Sequence, residues 1–366
     1  LAGPVRVLTV NAGSSSLKLA LLDGDELVDD RHVEHWGGEA EPIEEFLDEH
    51  GAEVIGHRVV HGGDRITEAA IVDDEVQAYL ESLTDLAPLH QPRALDGIRV
   101  ARRSAPRVPS VVCVDTAFHA RLPTAAATYA LPREWNERYS LRRYGFHGLS
   151  HSYAVRRGAE LTGLDPGRGK VLSCHLGAGA SMAAVLNGRC VDTTMGFTPE
   201  EGLVMNTRSG SVDPGLIGWL IDSRGLAPKE VFETLARRSG IAGLAGGNGD
   251  LRDVLDAREN GDHDAATAFD VYRHSLVRHA GAMLAVLGGL DLLVFTGGIG
   301  EHQPPVRAAV GSALVFAGAT IDPAHNIHAT EGEISAPGAP ARSVVVRARE
   351  DLEIARQSRV AVAVHG

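Results

Sequence analysis

Val7-Leu8-Thr9-Val10-Asn11-Ala12-Gly13-Ser14-Ser15-Ser16-Leu17-Lys18-Leu19-Ala20-Leu21-Leu22 is an apolar run that breaks into small hydroxylated residues and then resumes. The pattern predicts a β-hairpin with a polar, glycine-containing tip. Such a tip turns backbone N–H groups and Ser hydroxyls toward one anion, and Lys18 adds a positive charge. The ordinary alternative is a Ser-rich turn that binds nothing. The same grammar returns in Lys170-Val171-Leu172-Ser173-Cys174-His175-Leu176-Gly177-Ala178-Gly179-Ala180-Ser181. Gly13 pairs with Gly177, and Asn11 lies as far from the turn Asp23-Gly24 as His175 does from Asn187-Gly188. A short strand follows each turn, Glu26-Leu27-Val28 and Arg189-Cys190-Val191. Two hairpins at matched spacing predict a duplicated domain. If the halves face each other, both tips point into one cleft, where nucleotide phosphates would sit.

The chain has 366 residues, 44% hydrophobic and 23% charged, enough for two domains with separate cores. Its formal charge of −13 argues against a nucleic-acid or anionic-membrane binder, since both need a basic surface. Local arginines can still hold a phosphate, and Arg58 and Arg208 are candidates. Three cysteines, Cys113, Cys174 and Cys190, lack CxxC spacing, which fits a reducing cytosol. No basic-then-apolar leader and no apolar run of about 18 residues is present, so neither a signal peptide nor a membrane span is expected.

Further along, the acidic stretch 29–53 suits a solvated helix around Ile43-Glu44-Glu45-Phe46-Leu47. Val54-Ile55-Gly56-His57-Arg58-Val59-Val60-His61-Gly62-Gly63 reads as a buried strand carrying an Arg, which must be paired there or point somewhere useful. Val111 to Asp115 ends an apolar strand on a carboxylate, where parallel-type sheets place ligand sites. A capping Asp is the alternative. Pro123, Pro132 and the polar stretch 133–143 mark a domain junction, followed by Tyr144-Gly145-Phe146-His147-Gly148-Leu149-Ser150-His151, in which Ser150 can cap a helix. His147 and His151 stand four apart, but HExxH is absent and His147 precedes the helix, so zinc is disfavoured. Asp213-Pro214 starts a helix with Asp at its N-cap and Pro at N1. A glycine-laden loop, 243–249, ends in Asp250-Leu251-Arg252. Phe269, Tyr272, Leu276, Ala280, Met283 and Leu287 form a helical stripe for the core or a subunit interface. Then Leu290 to Phe295 runs as a strand into Thr296-Gly297-Gly298-Ile299-Gly300-Glu301, whose glycines let backbone approach an anionic ligand.

Asn11-x-Gly13-Ser14-Ser15-Ser16-x-Lys18, His57-Arg58-Val59-Val60-His61-Gly62-Gly63, Asp115-Thr116-Ala117-Phe118-His119, Tyr144-Gly145-Phe146-His147-Gly148 and Phe295-Thr296-Gly297-Gly298-Ile299-Gly300-Glu301 together resemble the acetate kinase family over essentially the whole chain. The resemblance implies an α/β, duplicated actin-like (ribonuclease H-like) two-domain fold with mixed sheets and an interdomain cleft. It places an N-terminal domain at 1–119, with the tail 353–366 packing back on it. A C-terminal domain at 120–352 carries the nucleotide site and a homodimer interface. The implied activity is reversible transfer of the ATP γ-phosphoryl group to acetate, giving acetyl phosphate and ADP, in the cytoplasm, with Mg²⁺ or alternatively Mn²⁺.

By the same resemblance, Arg58, Arg208, His147 and Asp115 are catalytic. Val60, Leu89, Phe146 and Pro199 line the acetate pocket with Arg58. Asn11, Lys18, His175, Gly177, Gly179, Asp250, Arg252, Gly298 and Gly300 bind the nucleotide, and His90 also matches. Asn11, Asp115 and Glu350 hold the metal. The physics agrees, because joining two anions needs fixed positive charge more than a strong base, and a carboxylate nucleophile has no proton to lose at pH 7. Three positions depart from the family pattern: Ala178 for Asn, His302 for Asn, and Ala348-Arg349-Glu350-Asp351 for Thr-Asn-Glu-Glu, which leaves Asp351 as a rival metal ligand. Rival functions are a propionate or butyrate kinase on the same fold, a non-catalytic nucleotide switch, and a zinc hydrolase using His57, His61, His90, His147, His151 and His175.

Overall fold

The computed structural model describes residues 5–13, 16–88 and 90–365. Ser14, Ser15 and Leu89 lie outside the described residues, so the hydroxyls expected at the first tip and one expected pocket residue receive no structural account. The chain forms two compact units, residues 1–120 with 146–153 and 349–366, and residues 121–145 with 154–348.

In the first unit, β1 (Arg6–Ala12), β2 (Ser16–Asp23), β3 (Glu26–Glu34), β4 (Val54–Val59), β5 (Ala70–Ile71) and β6 (Ser110–Val114) form one sheet. Their order is β3-β2-β1-β4-β6-β5. β1 pairs antiparallel with β2 and parallel with β4, β4 runs parallel to β6, and β5 is antiparallel to β6. In the second unit, β7 (Lys170–Leu176), β8 (Ala180–Leu186), β9 (Arg189–Thr193), β10 (Leu292–Thr296), β11 (Gly332–Glu333) and β12 (Arg342–Val345) follow the order β9-β8-β7-β10-β12-β11. Strand for strand this is the same mixed sheet, with the same parallel and antiparallel pairings. Even an irregularity repeats: the register shifts at Leu21/Leu22 in the first copy and at Ala184/Val185 in the second. The duplication expected from the two hairpins is therefore present in the topology.

Both faces of the first sheet are covered. Leu8, Val10, Leu17 and Leu19 pack with Ile43 and Phe46 of the helix Glu41–His50 and with Val100 of the helix Gln91–Ser104. Val7, Leu22, Val54 and Val111 pack on the other face with Leu149, Ile354 and Ala355. Neighbours such as Val7 and Leu8 thus serve opposite cores, as the two-residue period of a strand requires. Gly56 lets the tail helix Glu350–His365 sit close on β4: a Cβ there would meet Ile354 Cγ2 at 2.7 Å. In the second unit, the stripe Phe269, Tyr272, Leu276, Ala280, Met283 and Leu287 of the helix His263–Leu287 is buried. Cys113 on β6, Cys174 on β7 and Cys190 on β9 are buried and form no disulfide among the described residues. Among the described residues, no helix is long and apolar enough to cross a membrane.

Three expectations change. The first unit reclaims 146–153 and 349–352, which had been expected in the second domain. The physical reason is that Leu149 and Leu352 pack with the first core, Gly148 N donates to the Asp115 carbonyl at 3.0 Å, and Glu350 accepts from Asn11 Nδ2 at 3.3 Å. The strand expected to end at Val28 runs on to Glu34. Ser150 lies inside the helix Gly148–Thr162 rather than at its cap. Of the two readings given for the Phe269 to Leu287 stripe, core or subunit interface, its burial within the second unit supports the core. Asp213 does cap the helix Pro214–Asp222, accepting from Gly215 N.

Candidate active site

Arg58 is the next-to-last residue of β4, and Asp115 directly follows β6. Because β4 and β6 are parallel neighbours, their carboxyl ends place these side chains together. Arg58 Nη2 donates to Asp115 Oδ2 at 2.8 Å, and Nη1 donates to Asn11 Oδ1 at 3.3 Å. Glu350, first residue of the tail helix, accepts from Asn11 Nδ2 at 3.3 Å and lies 3.7 Å from Arg58 Nη1. Two carboxylates and an amide thus surround one guanidinium.

Burial opposes the Arg58 charge, but Asp115 and then Glu350 outweigh it and hold the group above its ordinary value. Asp115 is only 1% exposed. Burial pushes its carboxyl above the usual range against the pull of Arg58, and Glu350 adds to the push. The acidic side of this cluster therefore gains from any further cation. The rival ligand, Asp351, is engaged elsewhere, since Arg349 clasps both its oxygens at 2.7 to 3.1 Å. Among the described residues no group of three or more His, Cys, Asp or Glu stands where it could hold a metal.

Lys18 sits directly across from Asn11 in the β1–β2 ladder, so both project from the same face. Gly13 N donates to the Ser16 carbonyl at the tip, at 2.7 Å. Val60 is half-buried just past β4. Phe146 is buried with its ring 5.6 Å from that of His61, and its carbonyl lies 3.0 Å from His119 Nε2. His147 has φ +57°, a left-handed conformation that costs a non-glycine residue energy and tends to survive at functional sites. It precedes the helix, as expected, and its carbonyl accepts from His151 N at 2.9 Å. His90 stands at the N-cap of the helix Gln91–Ser104.

In the second unit, the β7–β8 tip is bridged by Gly177 N donating to the Gly179 carbonyl at 3.0 Å. A Cβ at Gly177 would stand 3.9 Å from His175 Nε2 and 4.0 Å from Gly298 N, so His175, the tip and the turn after β10 converge. Gly297 must be glycine, because its φ is +79° and a Cβ would press within 2.7 Å of the Leu176 carbonyl. Arg208 donates to the Pro199 carbonyl at 3.1 Å and approaches Met205 Sδ at 3.6 Å. No carboxylate within the described residues forms an ion pair with it. Burial lowers its pKa, partly offset by Glu200. A half-buried guanidinium without a carboxylate is poised for an anionic ligand. Asp250 and Arg252 are turned on each other at 2.6 Å, with Asp250 capping the helix Leu251–Glu259; the Arg252 hydrogen bonds hold the Asp250 carboxyl down to about 2.

Sequence reasoning missed Arg307, which is fully buried. Its guanidinium donates to the carbonyls of Gly300 at 2.9 Å and Glu301 at 2.7 Å, and to Asn326 Oδ1 at 2.7 Å. It thereby ties down the far end of the glycine-rich turn Gly297–His302. The signal was available as an Arg in an otherwise apolar helix face, Val306-Arg307 and Val310.

The acetokinase family's sequence pattern matches residues 40–356. This chain belongs to the acetokinase family. It is 39% identical to an acetate kinase of Thermotoga maritima, covering 97% of this chain and 98% of the relative. It is 44% identical to an acetate kinase of Leifsonia xyli subsp. xyli, over 98% and 99% of the two chains. Among solved structures, a Porphyromonas gingivalis acetate kinase superposes with a TM-score of 0.91 at 34% identity, over 98% of this chain and 100% of that one. A Francisella tularensis propionate kinase gives 0.89 at 31% identity, over 97% and 99%.

Proposed function

We propose that this acetokinase-family chain is an acetate kinase that moves the γ-phosphoryl group of ATP directly to acetate. The observation that carries the reading is the Arg58–Asp115–Asn11–Glu350 cluster at the carboxyl ends of β4 and β6. An acetate oxygen attacks the γ-phosphorus, the bond from phosphorus to the ADP oxygen breaks, and ADP leaves as an anion. No proton has to move, because acetate is already ionised. Arg58 and Arg208 hold the equatorial oxygens of the transferring group, and His147 donates a hydrogen bond to it. Val60, Leu89, Phe146 and Pro199 receive the acetate methyl. His175, Gly177, Gly179, Gly298, Gly300, Asp250 and Arg252 serve the nucleotide in the second unit, and Asn11 and Lys18 its phosphates.

The donor set of Asp115, Glu350 and the Asn11 amide oxygen is all oxygen, which suits a hard cation such as Mg²⁺. When bound there, that ion would neutralise phosphate charge. We place the work in a reducing cytosol, in keeping with three buried cysteines that form no disulfide among the described residues. We also propose a homodimer through the second unit, where Leu216, Trp219 and Phe232 are 45 to 53% exposed.

A propionate kinase is the second reading, favoured by the propionate kinase neighbour. One methylene in an apolar pocket discriminates by only about 1–3 kcal/mol. The test is a hydroxylamine trap for acyl phosphate with ATP, Mg²⁺ and acetate, propionate or butyrate. Acyl hydroxamate from acetate at the highest kcat/KM supports the first reading, a maximum at propionate moves it to the second, and none from any acid overturns both.

A further inference from the structure

Residues 194–201, which carry Pro199, are fastened by a cluster that the catalytic reading does not use. Glu201 accepts from the Tyr129 hydroxyl at 2.5 Å through Oε2 and from Arg143 Nη2 at 2.8 Å through Oε1. The Tyr129 oxygen in turn accepts from Phe197 N at 2.8 Å. Arg143 Nη1 donates to the carbonyls of Met195 at 3.1 Å and Thr194 at 3.3 Å. Tyr144 N and Gly145 N both donate to the Gly196 carbonyl, at 3.1 and 3.2 Å, and the Tyr144 ring packs on Phe197 at 5.8 Å. The backbone passes through this cluster with no slack, since a Cβ on Gly196 would overlap Glu201 Oε2 and the Tyr129 oxygen.

The loop so held presents the Pro199 carbonyl, and that carbonyl is the one oxygen found within hydrogen-bond distance of the Arg208 guanidinium among the described residues. We propose that Tyr129, Glu201 and Arg143 form a clasp of positioning residues that sets Arg208 for the anion by fixing the Pro199 carbonyl. This inference rests on the reading of Arg208 as a phosphoryl-binding residue. A guanidinium with five donors, one protein oxygen acceptor and the weak Met205 thioether beside it is aimed chiefly by that oxygen, and the donors not on Nη1 are left for the ligand. A loosened loop would let Arg208 wander by an ångström or so, enough to cost roughly 10²-fold in rate.

The clasp is tested with Tyr129→Phe and Glu201→Gln, and with Gly196→Ala as the harsher variant. Tyr129→Phe should lower kcat for acyl phosphate formation about 10-fold or more and leave the KM for ATP within about twofold. Amide hydrogen exchange should quicken at Phe197, whose N–H loses its acceptor. In an Arg208→Lys background the effect of Tyr129→Phe should largely vanish, because a clasp that acts through the guanidinium has nothing left to aim. Additive effects in that cycle, or faster Phe197 exchange with wild-type kinetics, overturn the clasp while leaving the enzyme reading intact. No acyl phosphate from the wild-type protein overturns both.

Discussion

Asn11 and Glu350 are 339 residues apart in sequence, yet the Asn11 amide donates to the Glu350 carboxylate across 3.3 Å. The tail helix returns to the first hairpin and delivers a carboxylate beside Arg58, while the next residue, Asp351, turns back to Arg349.

That arrangement separates two neighbouring carboxylates by experiment. Glu350→Ala should raise the Mg²⁺ concentration needed for half-maximal rate several-fold more than it raises the KM for acetate. Asp351→Ala should change the Mg²⁺ requirement little. The reverse pattern in a Mg²⁺ titration would move the metal to Asp351.

For the two arginines, the expected loss is in turnover. Arg58→Ala or Arg208→Ala should lower kcat by roughly 10³-fold or more, as charge on the transferring group peaks in the transition state. Lys should rescue poorly, because a point charge lacks the planar fork. His147→Ala should cost about 10²-fold. Added guanidine should restore part of the activity of each Arg→Ala variant but none of the His147→Ala loss. Near-wild-type turnover without either guanidinium would sink direct participation.

Acid should weaken the first unit in a defined window. Burial holds the His57 imidazole down to about 3 and those of His61 and His119 to about 4. Unfolded, each titrates near about 6.5. Between these values the unfolded chain binds more protons, so stability is full above about pH 6.5 and falls toward pH 4, by up to about 1.4 kcal/mol per pH unit for each histidine. Trp36, 2% exposed, reports on this unit, whereas Trp135 and Trp219 are about half exposed. Urea midpoints followed by Trp36 fluorescence in a Trp135→Phe, Trp219→Phe background should drop across that window, and by less when His119 is replaced by Gln, since His57 and His61 still titrate. A pH-independent midpoint from 7 to 5 would contradict the assignment.

Arg307 carries a different expectation. Arg307→Met keeps the volume but strips hydrogen bonds from buried carbonyls of Gly300 and Glu301, which should cost at least about 2 kcal/mol in the second unit. The surviving folded protein should show a raised KM for ATP with little change in the KM for acetate. Equal shifts in both constants would detach Arg307 from the nucleotide binding proposed for the Gly297–His302 turn.

Much of the architecture was legible because its signals are local. The run from Val7 to Leu22 breaks at one place, and the ladder pairs Asn11 with Lys18 as a hairpin demands. The echo at Lys170 to Ser181 gave the second copy, down to its antiparallel third strand. The spacing from Phe269 to Leu287 predicts the helix that is present, but periodicity cannot say whether the apolar face meets its own sheet or another chain. Long-range closure was out of reach. Leu149 joins the core of Val7 and Ile354 across hundreds of residues, and nothing in Gly148-Leu149-Ser150 marks that return. The pairing of Asp250 with Arg252, and of Glu201 with Tyr129 and Arg143, likewise depends on side-chain directions that spacing does not encode.

The three cysteines of the two sheets have a practical consequence. Burial pushes the Cys113 thiol up to about 12 and the thiols of Cys174 and Cys190 higher still. At mildly alkaline pH they are therefore closed to alkylating reagents until the strand around them opens. One such thiol belongs to the first unit and two to the second. The mass added in a timed pulse of iodoacetamide then works as a tally, with one adduct for an opened first half, two for an opened second half, and three for a chain that has come apart entirely.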